Sequence, residues 1–305
     1  MTAPTPSVLI IILNWNGKED TLACLKSLGQ IDYPNAGILV IDNASSDDSV
    51  AALRAAYPHI RRIENAANLG FVGGNNQGLE TAVQEGYDYA LLLNNDTEVA
   101  PDFLSRLVQA AHADPEIGIT GPQIYYFARP EVLWSAGGRI DWQRGETSMI
   151  GIGLTQSGQS TAPYGVDFVT GCALLIKTSV VAQVGPLDER FFAYYEETEW
   201  CVRVARAGYR ILLVPAAKIW HKISAEAREA SPRVHYYMTR NQLLFLRCTR
   251  ANWQAWAATY FKNARTLLSW TLKPKWRHKA PQRRAMWQAI ADFHRGRFGK
   301  AENIT

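Results

Sequence analysis

The sequence predicts an α/β protein whose largely parallel sheet carries helices on both faces. Three observations carry that prediction. Short apolar runs alternate with stretches that hold helix N-caps and helical spacing. The runs lack the in–out alternation of a half-exposed antiparallel strand, so both of their faces should be covered. Each of the early runs also ends in a cluster of Asn, Asp or Glu.

Val8–Leu13, a β-branched and Leu run, reads as a central strand with Asn14 and Asn16 at its end. A helix is expected over Asp20–Leu28. Gly37–Ile41 is a second strand closed by Asp42 and Asn43, and Ser45, Ser46, Asp47 and Asp48 offer N-caps for a helix reaching about Tyr57. Ile60–Ile63 makes a short third strand before Glu64 and Asn65, and Asn75–Glu85 a further helix. The apolar run Tyr89–Leu93 is a fourth strand that stops abruptly at Asn94-Asn95-Asp96, ahead of a helix starting near Pro101. Four parallel strands would bring all four polar clusters to one sheet edge, where open α/β sheets bind ligands.

Beyond Ile117–Gly121 the pattern loosens, with Gly137, Gly138 and the glycines of 151–158 marking turns. Val166–Ile176 reads as a strand interrupted by Gly171, Glu196–Ala207 as a helix, and Ile211–Val214 as a closing strand before Trp220 and His221. From Tyr236 onward the chain reads as basic, aromatic helix.

With 305 residues, 47% hydrophobic and 20% charged, the chain can bury a substantial core. Cys24, Cys172, Cys201 and Cys248 lie far apart, a spacing that suits neither a zinc site nor a disulfide framework. Met1–Ser7 has no basic segment of the secretory type, and no 18 uncharged apolar residues run together, so neither a signal nor a membrane span is expected. Charge divides unevenly. Residues 231–305 hold 15 Lys and Arg against Asp292 and Glu302 alone, whereas residues 1–230 hold 17 basic against 26 acidic side chains. The expected division is therefore an acidic body, 1–230, and a basic helical extension, 231–305.

In that extension Trp253, Trp256, Tyr260, Ala264 and Leu267 recur at helical spacing among Lys and Arg, which suits an anionic membrane surface contacted through 236–300. The competing reading is a helical hairpin packed on the body or on a homodimer partner, with Trp as core. Nucleic acid is not expected, because no binding module accompanies the charge.

Two chemical readings attach to Asp96. A carboxylate at a strand's carboxyl end suits a hard divalent cation that in turn holds a diphosphate. It also suits an Asx-rich turn capping the next helix. The order of motifs favours the first. Val8–Asn16, Val40–Ser45, Asn68-Leu69-Gly70-Phe71 with Gly73-Gly74-Asn75, Leu93–Val99, Gly185–Glu189 with Phe191-Phe192, Glu196–Trp200 and His221 together resemble a family 2 glycosyltransferase of GT-A fold over roughly residues 7–225. The Tyr195–Trp200 stretch is most similar to the rhamnosyltransferase-like branch.

The resemblance implies a mixed sheet flanked by helices and an inverting transfer of sugar from a UDP- or dTDP-linked donor, such as dTDP-rhamnose. The acceptor it implies is a saccharide or a lipid-linked one, in cell-envelope polysaccharide synthesis at the cytoplasmic face of the plasma membrane. Asp96, with His221, corresponds to the binding site of Mn²⁺ or Mg²⁺. The family's usual Asp-X-Asp reads Asn94-Asn95-Asp96 here, so Asn94 and Asn95 supply neutral oxygens or ribose hydrogen bonds instead of a second charge. Glu197 corresponds to the catalytic base, with Glu196 and Glu199 as competitors. Asp42 corresponds to the carboxylate facing the pyrimidine imide, while its own local chemistry also suits an Asx-turn. Asn14, Asn43, Asn68, Gly73 and Asn75 are further donor-binding candidates, the glycines allowing close backbone approach. Loops 134–165 and 225–235 would shape the acceptor pocket.

Competing functions stay in view. A sugar-nucleotide nucleotidyltransferase would display a basic, Gly-rich triphosphate loop after the first strand, which Leu13–Gly17 lacks. A non-catalytic sugar-nucleotide-binding scaffold is raised by the carboxylate missing from Asn94-Asn95-Asp96.

Overall fold

In the computed structural model, which describes residues 5–155, 161–223 and 231–304, one 10-stranded sheet organises the chain. Strands β1 (Val8–Asn14), β2 (Ala36–Asp42), β3 (Arg61–Glu64) and β4 (Tyr89–Asn94) are parallel, in spatial order β4-β1-β2-β3. Register sets Asn14 opposite Asp42, Asp42 opposite Glu64 and Leu13 opposite Asn94, so the polar strand ends lie level along one edge. Both faces of β1 are covered: Leu9 and Ile11 join one apolar cluster, Val8, Ile10 and Ile12 the other, all five fully buried. Continuous apolar strands are what two covered faces demand.

Helices α1 (Lys18–Leu28), α2 (Ser49–Ala56) and α3 (Gly70–Gln84) connect these strands. Helix α3 begins five residues before the expected Asn75, with Gly70, Gly73 and Gly74 inside it. A Cβ on Gly78 would stand 2.5 Å from Ile11 Cγ2, and one on Gly74 would strike Leu13 Cδ1, both of β1. These side-chain-free positions let the helix lie close on the sheet.

The second half of the sheet is mixed. After β5 (Thr97–Val99) and α4 (Phe103–His112) come β6 (Ile117–Tyr126), β7 (Arg129–Ser135), the separate hairpin β8 (Gly138–Asp141) and β9 (Glu146–Met149), and the short β10 (Tyr164–Gly165). Strand β11 (Ala173–Lys177) pairs antiparallel to both β4 and β6. It is shorter than the expected Val166–Ile176, since Thr170–Cys172 turns at the sheet edge instead of extending. Helices α5 (Thr178–Val184) and α6 (Glu196–Arg206) follow.

Strand β12 (Arg210–His221) is longer than the expected Ile211–Val214. It runs parallel to β6, shifts register between Val214 and Lys218, and continues to His221. Pro215-Ala216-Ala217 hid that continuation by breaking the apolar pattern.

The last segment is helical, as α7 (Pro232–Cys248), α8 (Trp253–Leu272), a 3₁₀ turn over Pro274–Lys279 and α9 (Ala280–His294). Helix α7 packs inside the molecule. Leu243, Leu244, Phe245 and Leu246 are fully buried in the same apolar cluster as Leu9 and Ile11. At about 1.5–3 kcal/mol per buried large side chain, that helix is part of the body's core.

The tight α3–sheet contact yields a stability prediction. Gly78→Ala should cost about 1–3 kcal/mol by overpacking against Ile11. A lower urea midpoint with unchanged slope is the expected result; an unchanged midpoint would contradict the packing argument.

Candidate active site

A cleft of about 900 Å³ opens where β4, β11 and β12 end, between the β9 edge and the start of α6. Asp96, His221, Glu196 and Glu197 all line it.

Asp96 and His221 meet because β5 pairs antiparallel to β12, with Thr97 opposite His221. The backbone N–H of Lys222 donates to the Asp96 carbonyl at 2.9 Å. His221 Nε2 then stands 3.0 Å from Asp96 Oδ1. Trp134 holds the imidazole edge-on, with ring centroids 4.7 Å apart. That 3.0 Å approach lacks hydrogen-bond alignment: Asp96 Oδ1 is buried without a hydrogen-bond partner among the described residues. The same holds for His221 Nδ1, Thr170 Oγ1 and Glu196 Oε2. Buried polar atoms are almost always satisfied, so such a concentration marks a surface completed by something bound. A carboxylate oxygen beside an imidazole nitrogen fits a divalent cation. No group of three or more acidic, His or Cys ligands occurs among the described residues, which leaves the other coordination positions to substrate oxygens and water.

The opposite wall is the first turn of α6. Phe192, Tyr194 and Tyr195 take positive φ of 64°, 71° and 74° in the approach to it. Non-glycine residues pay strain energy there and need outside support. That support comes from α7. Asn241 Nδ2 lies 2.9, 2.7 and 2.9 Å from the carbonyls of Phe191, Ala193 and Tyr194, and Arg240 Nη2 3.1 Å from that of Phe191. Both side chains are buried. Sequence reading missed this clamp; its signal was the polar run Arg240-Asn241-Gln242 set directly before Leu243-Leu244-Phe245-Leu246.

The three glutamates part company here. Glu199 turns away from the cleft into a two-pronged ion pair with Arg203, 2.9–3.0 Å, which corrects its place among the base candidates. Glu196 is buried, and burial, reinforced by the charge of Glu197, pushes its carboxyl well above the ordinary range. Glu196 and Glu197 are neighbours facing one cleft because the helix starts at Glu196, directly after the left-handed Tyr195.

On the donor side several of the expected ligands make hydrogen bonds within the protein. Asn14 is fully buried; its amide donates to Asp42 Oδ2 at 2.7 Å and its oxygen accepts from Thr21 Oγ1 at 2.8 Å. Asp42 also accepts from the Ser45 N–H at 2.9 Å, the Asx-turn arrangement. Asn95 donates to Thr21 Oγ1 at 2.9 Å, turned toward α1, whereas Asn94 lines the cleft. Asn75 donates to the Phe71 carbonyl at 2.8 Å within α3, and Gly73 packs on Leu69, so neither faces a ligand. Asn43 and Asn68 line a second, smaller cavity of about 260 Å³ beside Trp15 and Arg233. Parts of the loops expected to shape the acceptor pocket, 156–160 and 224–230, lie outside the described residues. Within them Thr147, Ser148 and Met149 of β9 and Val234 and His235 of α7 do line the main cleft.

Comparison with known proteins agrees with this geometry. Residues 7–185 match the family described as glycosyl transferase family 2. An N-acetylglucosaminyl-diphospho-decaprenol L-rhamnosyltransferase of Mycobacterium tuberculosis is 26% identical over 270 residues, 82% of this chain and 83% of that one. A low-salt glycan biosynthesis hexosyltransferase, Agl10, of Haloferax volcanii is 31% identical over 205 residues, 66% of this chain and 62% of its own length. In structure, a mannosyltransferase from Pyrobaculum calidifontis, solved with GDP-mannose and Mn²⁺, superposes with a TM-score of 0.59 at 14% identity, covering 96% of this chain and 88% of that one. The shared architecture is the GT-A fold.

Two predictions follow from the α6 wall. Asn241→Ala should lower kcat at least tenfold, and by more than it lowers donor affinity by calorimetry, since the clamped carbonyls lead directly into Glu196 and Glu197 and reach the donor side only through Ala193 and Tyr194. Equal loss of both would reduce Asn241 to a general stability role. For Glu196 the folded carboxyl titrates above its ordinary 4.5, so the unfolded chain releases the proton first and stability falls as pH rises past that value. Glu196→Gln should therefore raise the denaturation midpoint at pH 8, with the gain shrinking toward pH 4; a pH-independent difference would refute the raised carboxyl.

Proposed function

The chain belongs to glycosyl transferase family 2, and from that premise we propose that it is an inverting transferase for a UDP- or dTDP-linked sugar. The acceptor is a saccharide or lipid-linked glycan of cell-envelope polysaccharide synthesis. The observation that carries this reading is one cleft lined on one side by Asp96 and His221 and on the other by the adjoining Glu196 and Glu197.

Asp96 and His221 would hold the cation expected at such a site, Mn²⁺ or Mg²⁺; bound there, it would offset the charge that collects on the departing nucleoside diphosphate. The Asn94 amide, lining the same cleft, offers a neutral oxygen or donor to the sugar-nucleotide. Glu197 takes the proton of the acceptor hydroxyl as that oxygen bonds to the anomeric carbon. The bond from that carbon to the diphosphate oxygen breaks, the nucleoside diphosphate leaves with the electron pair, and single displacement inverts the centre. Burial and the neighbouring Glu197 charge raise the Glu196 carboxyl, disfavouring its ionised form. The rhamnosyl transfer and diphospho-decaprenol carrier in the mycobacterial relative's name support a deoxyhexose donor and a lipid-linked acceptor. GDP-mannose and Mn²⁺ in the solved mannosyltransferase support the cation.

Calorimetric titration of UDP and dTDP, each with and without Mn²⁺, tests the donor side. Metal-enhanced binding of one nucleotide should disappear in Asp96→Ala. Glu197→Gln should keep that binding and lose at least a hundredfold in turnover; wild-type transfer by purified Glu197→Gln would remove the base assignment.

A further inference from the structure

Helix α8 buries one side against the protein and leaves an apolar stripe uncovered on the other. Its inner side, Ala255, Thr259, Asn263 and Leu267, is buried. On the other side Trp253, Phe261, Leu268 and Leu272 are 74%, 70%, 60% and 67% exposed. With the exposed Ala257 and Ala264 between them, their spacing of three and four places them in one stripe along the 20-residue helix, roughly 30 Å long. An outer helix face in water should be polar, so a continuous stripe of this kind marks a surface that meets something apolar.

The charge around the stripe identifies the occupant. Between residues 251 and 290 the chain carries eight Lys and Arg and no Asp or Glu. Lys262 is ion-paired with Glu146 at 2.8 Å. Among the described residues Arg265, Lys273, Lys275, Arg277, Lys279, Arg283 and Arg284 enter no salt bridge. The 3₁₀ turn Pro274–Lys279 sets Lys273, Lys275 and Arg277, all exposed, directly past the end of the stripe, with Trp276 among them. A second protein copy would bring the same uncompensated positive charge to the contact. An anionic bilayer answers both features: its acyl boundary takes the apolar stripe and its headgroups take the cations.

We propose that the outer face of α8, with the basic turn that follows it, seats on an anionic lipid bilayer. Lys262, next in sequence to the stripe's Phe261, lines the main cleft together with His235 and Met238 of α7. One helix thus carries both the membrane-facing stripe and part of the cleft wall. Seating it would bring the cleft to a lipid-borne acceptor, a consequence that rests on the glycosyltransfer reading. No described helix is long and apolar enough to cross a membrane, so the contact is with the surface.

Vesicle flotation of the full chain tests the seating without nucleotide or metal, so its outcome is independent of the catalytic reading. The full chain is required because α7 belongs to the core. The protein should float with phosphatidylcholine vesicles containing phosphatidylglycerol and much less with phosphatidylcholine alone. The triple variant Phe261→Ser, Leu268→Ser, Leu272→Ser should lose at least tenfold in partitioning. Lys273→Gln, Lys275→Gln, Arg277→Gln together should lose on the order of a hundredfold at low salt. Both variants should keep the wild-type denaturation midpoint within a few degrees, which separates lost seating from lost folding. Absence of flotation, or flotation indifferent to lipid charge and to both variants, would overturn the proposal. So would a wild-type dimer that ignores vesicles and becomes monomeric in the serine variant, since the stripe would then be an interface between copies.

Discussion

The buried polar run of α7 is the constraint on which the site depends. The three left-handed positions Phe192, Tyr194 and Tyr195 would relax if left to themselves. Arg240 and Asn241 hold that backbone by its carbonyls, and Gln242 reaches across to the Gly145 carbonyl at 2.7 Å, tying the β8–β9 hairpin to the same helix. Burying a guanidinium is costly unless its protons are used. Here Arg240 also donates to the Gly299 carbonyl at 2.8 Å and lies over the rings of Tyr236 and Tyr237. One helix from the basic end of the chain therefore fixes the loop before α6, the hairpin at the cleft's rim and the terminal segment near Gly299. Shape and charge in this region answer to different needs. The polar residues of α7 organise the site from within, whereas Arg265 of α8 and Lys273, Lys275 and Arg277 beyond it face outward.

What was legible in the sequence followed from strong local patterns. Strands β1 to β4 are short apolar runs covered on both faces, and such runs declare themselves with no knowledge of the partner. Their polar ends were legible for the same reason, and the parallel register then brought them together. Side-chain direction was not legible. Asn14, Asn95 and Asn75 are of the types that bind nucleotides, yet their partners are Asp42, Thr21 and a helix carbonyl. An amide's partner depends on what the fold sets beside it, up to 81 residues away in the case of Asn95 and Asn14. The same limit applied to the glycines of α3. Gly73 and Gly74 stood outside the expected helix Asn75–Glu85, yet they lie within α3, where Gly74 and Gly78 press on Leu13 and Ile11. His221 was found by its place in the order of motifs, but its strand was cut short at Val214, because a bulge with Pro215 interrupts the period.

The first turn of α6 illustrates how a single start point divides three similar side chains. Helix periodicity alone pairs Glu196 with Glu199 and sets Glu197 apart. The helix, however, begins at Glu196 after a left-handed Tyr195, so its end, and not one of its sides, faces the cleft. Glu196 and Glu197 point there, while Glu199 drops into the second turn and meets Arg203. The positive end of the helix dipole favours charge on this turn, and burial opposes it. For Glu196 burial is the larger influence. Raising one of two adjoining carboxyls limits the charge that a poorly solvated wall must carry.

Charge on the opposite wall is also kept low. Asn94 and Asn95 stand where a second carboxylate would otherwise sit beside Asp96, and of these only Asn94 faces the cleft. A pair made of one carboxylate and one imidazole attracts a cation less strongly than two carboxylates would, but it also repels an incoming diphosphate less. Strand pairing compensates through geometry: with Thr97 locked opposite His221, the two side chains are already 3.0 Å apart before any ligand arrives. Pre-organised ligands lose little entropy on binding, so a weaker charge set can still hold a cation once the diphosphate supplies its own oxygens. On the proposed reading, metal and donor would each complete the other's site at Asp96 and His221, which would make their affinities reciprocal.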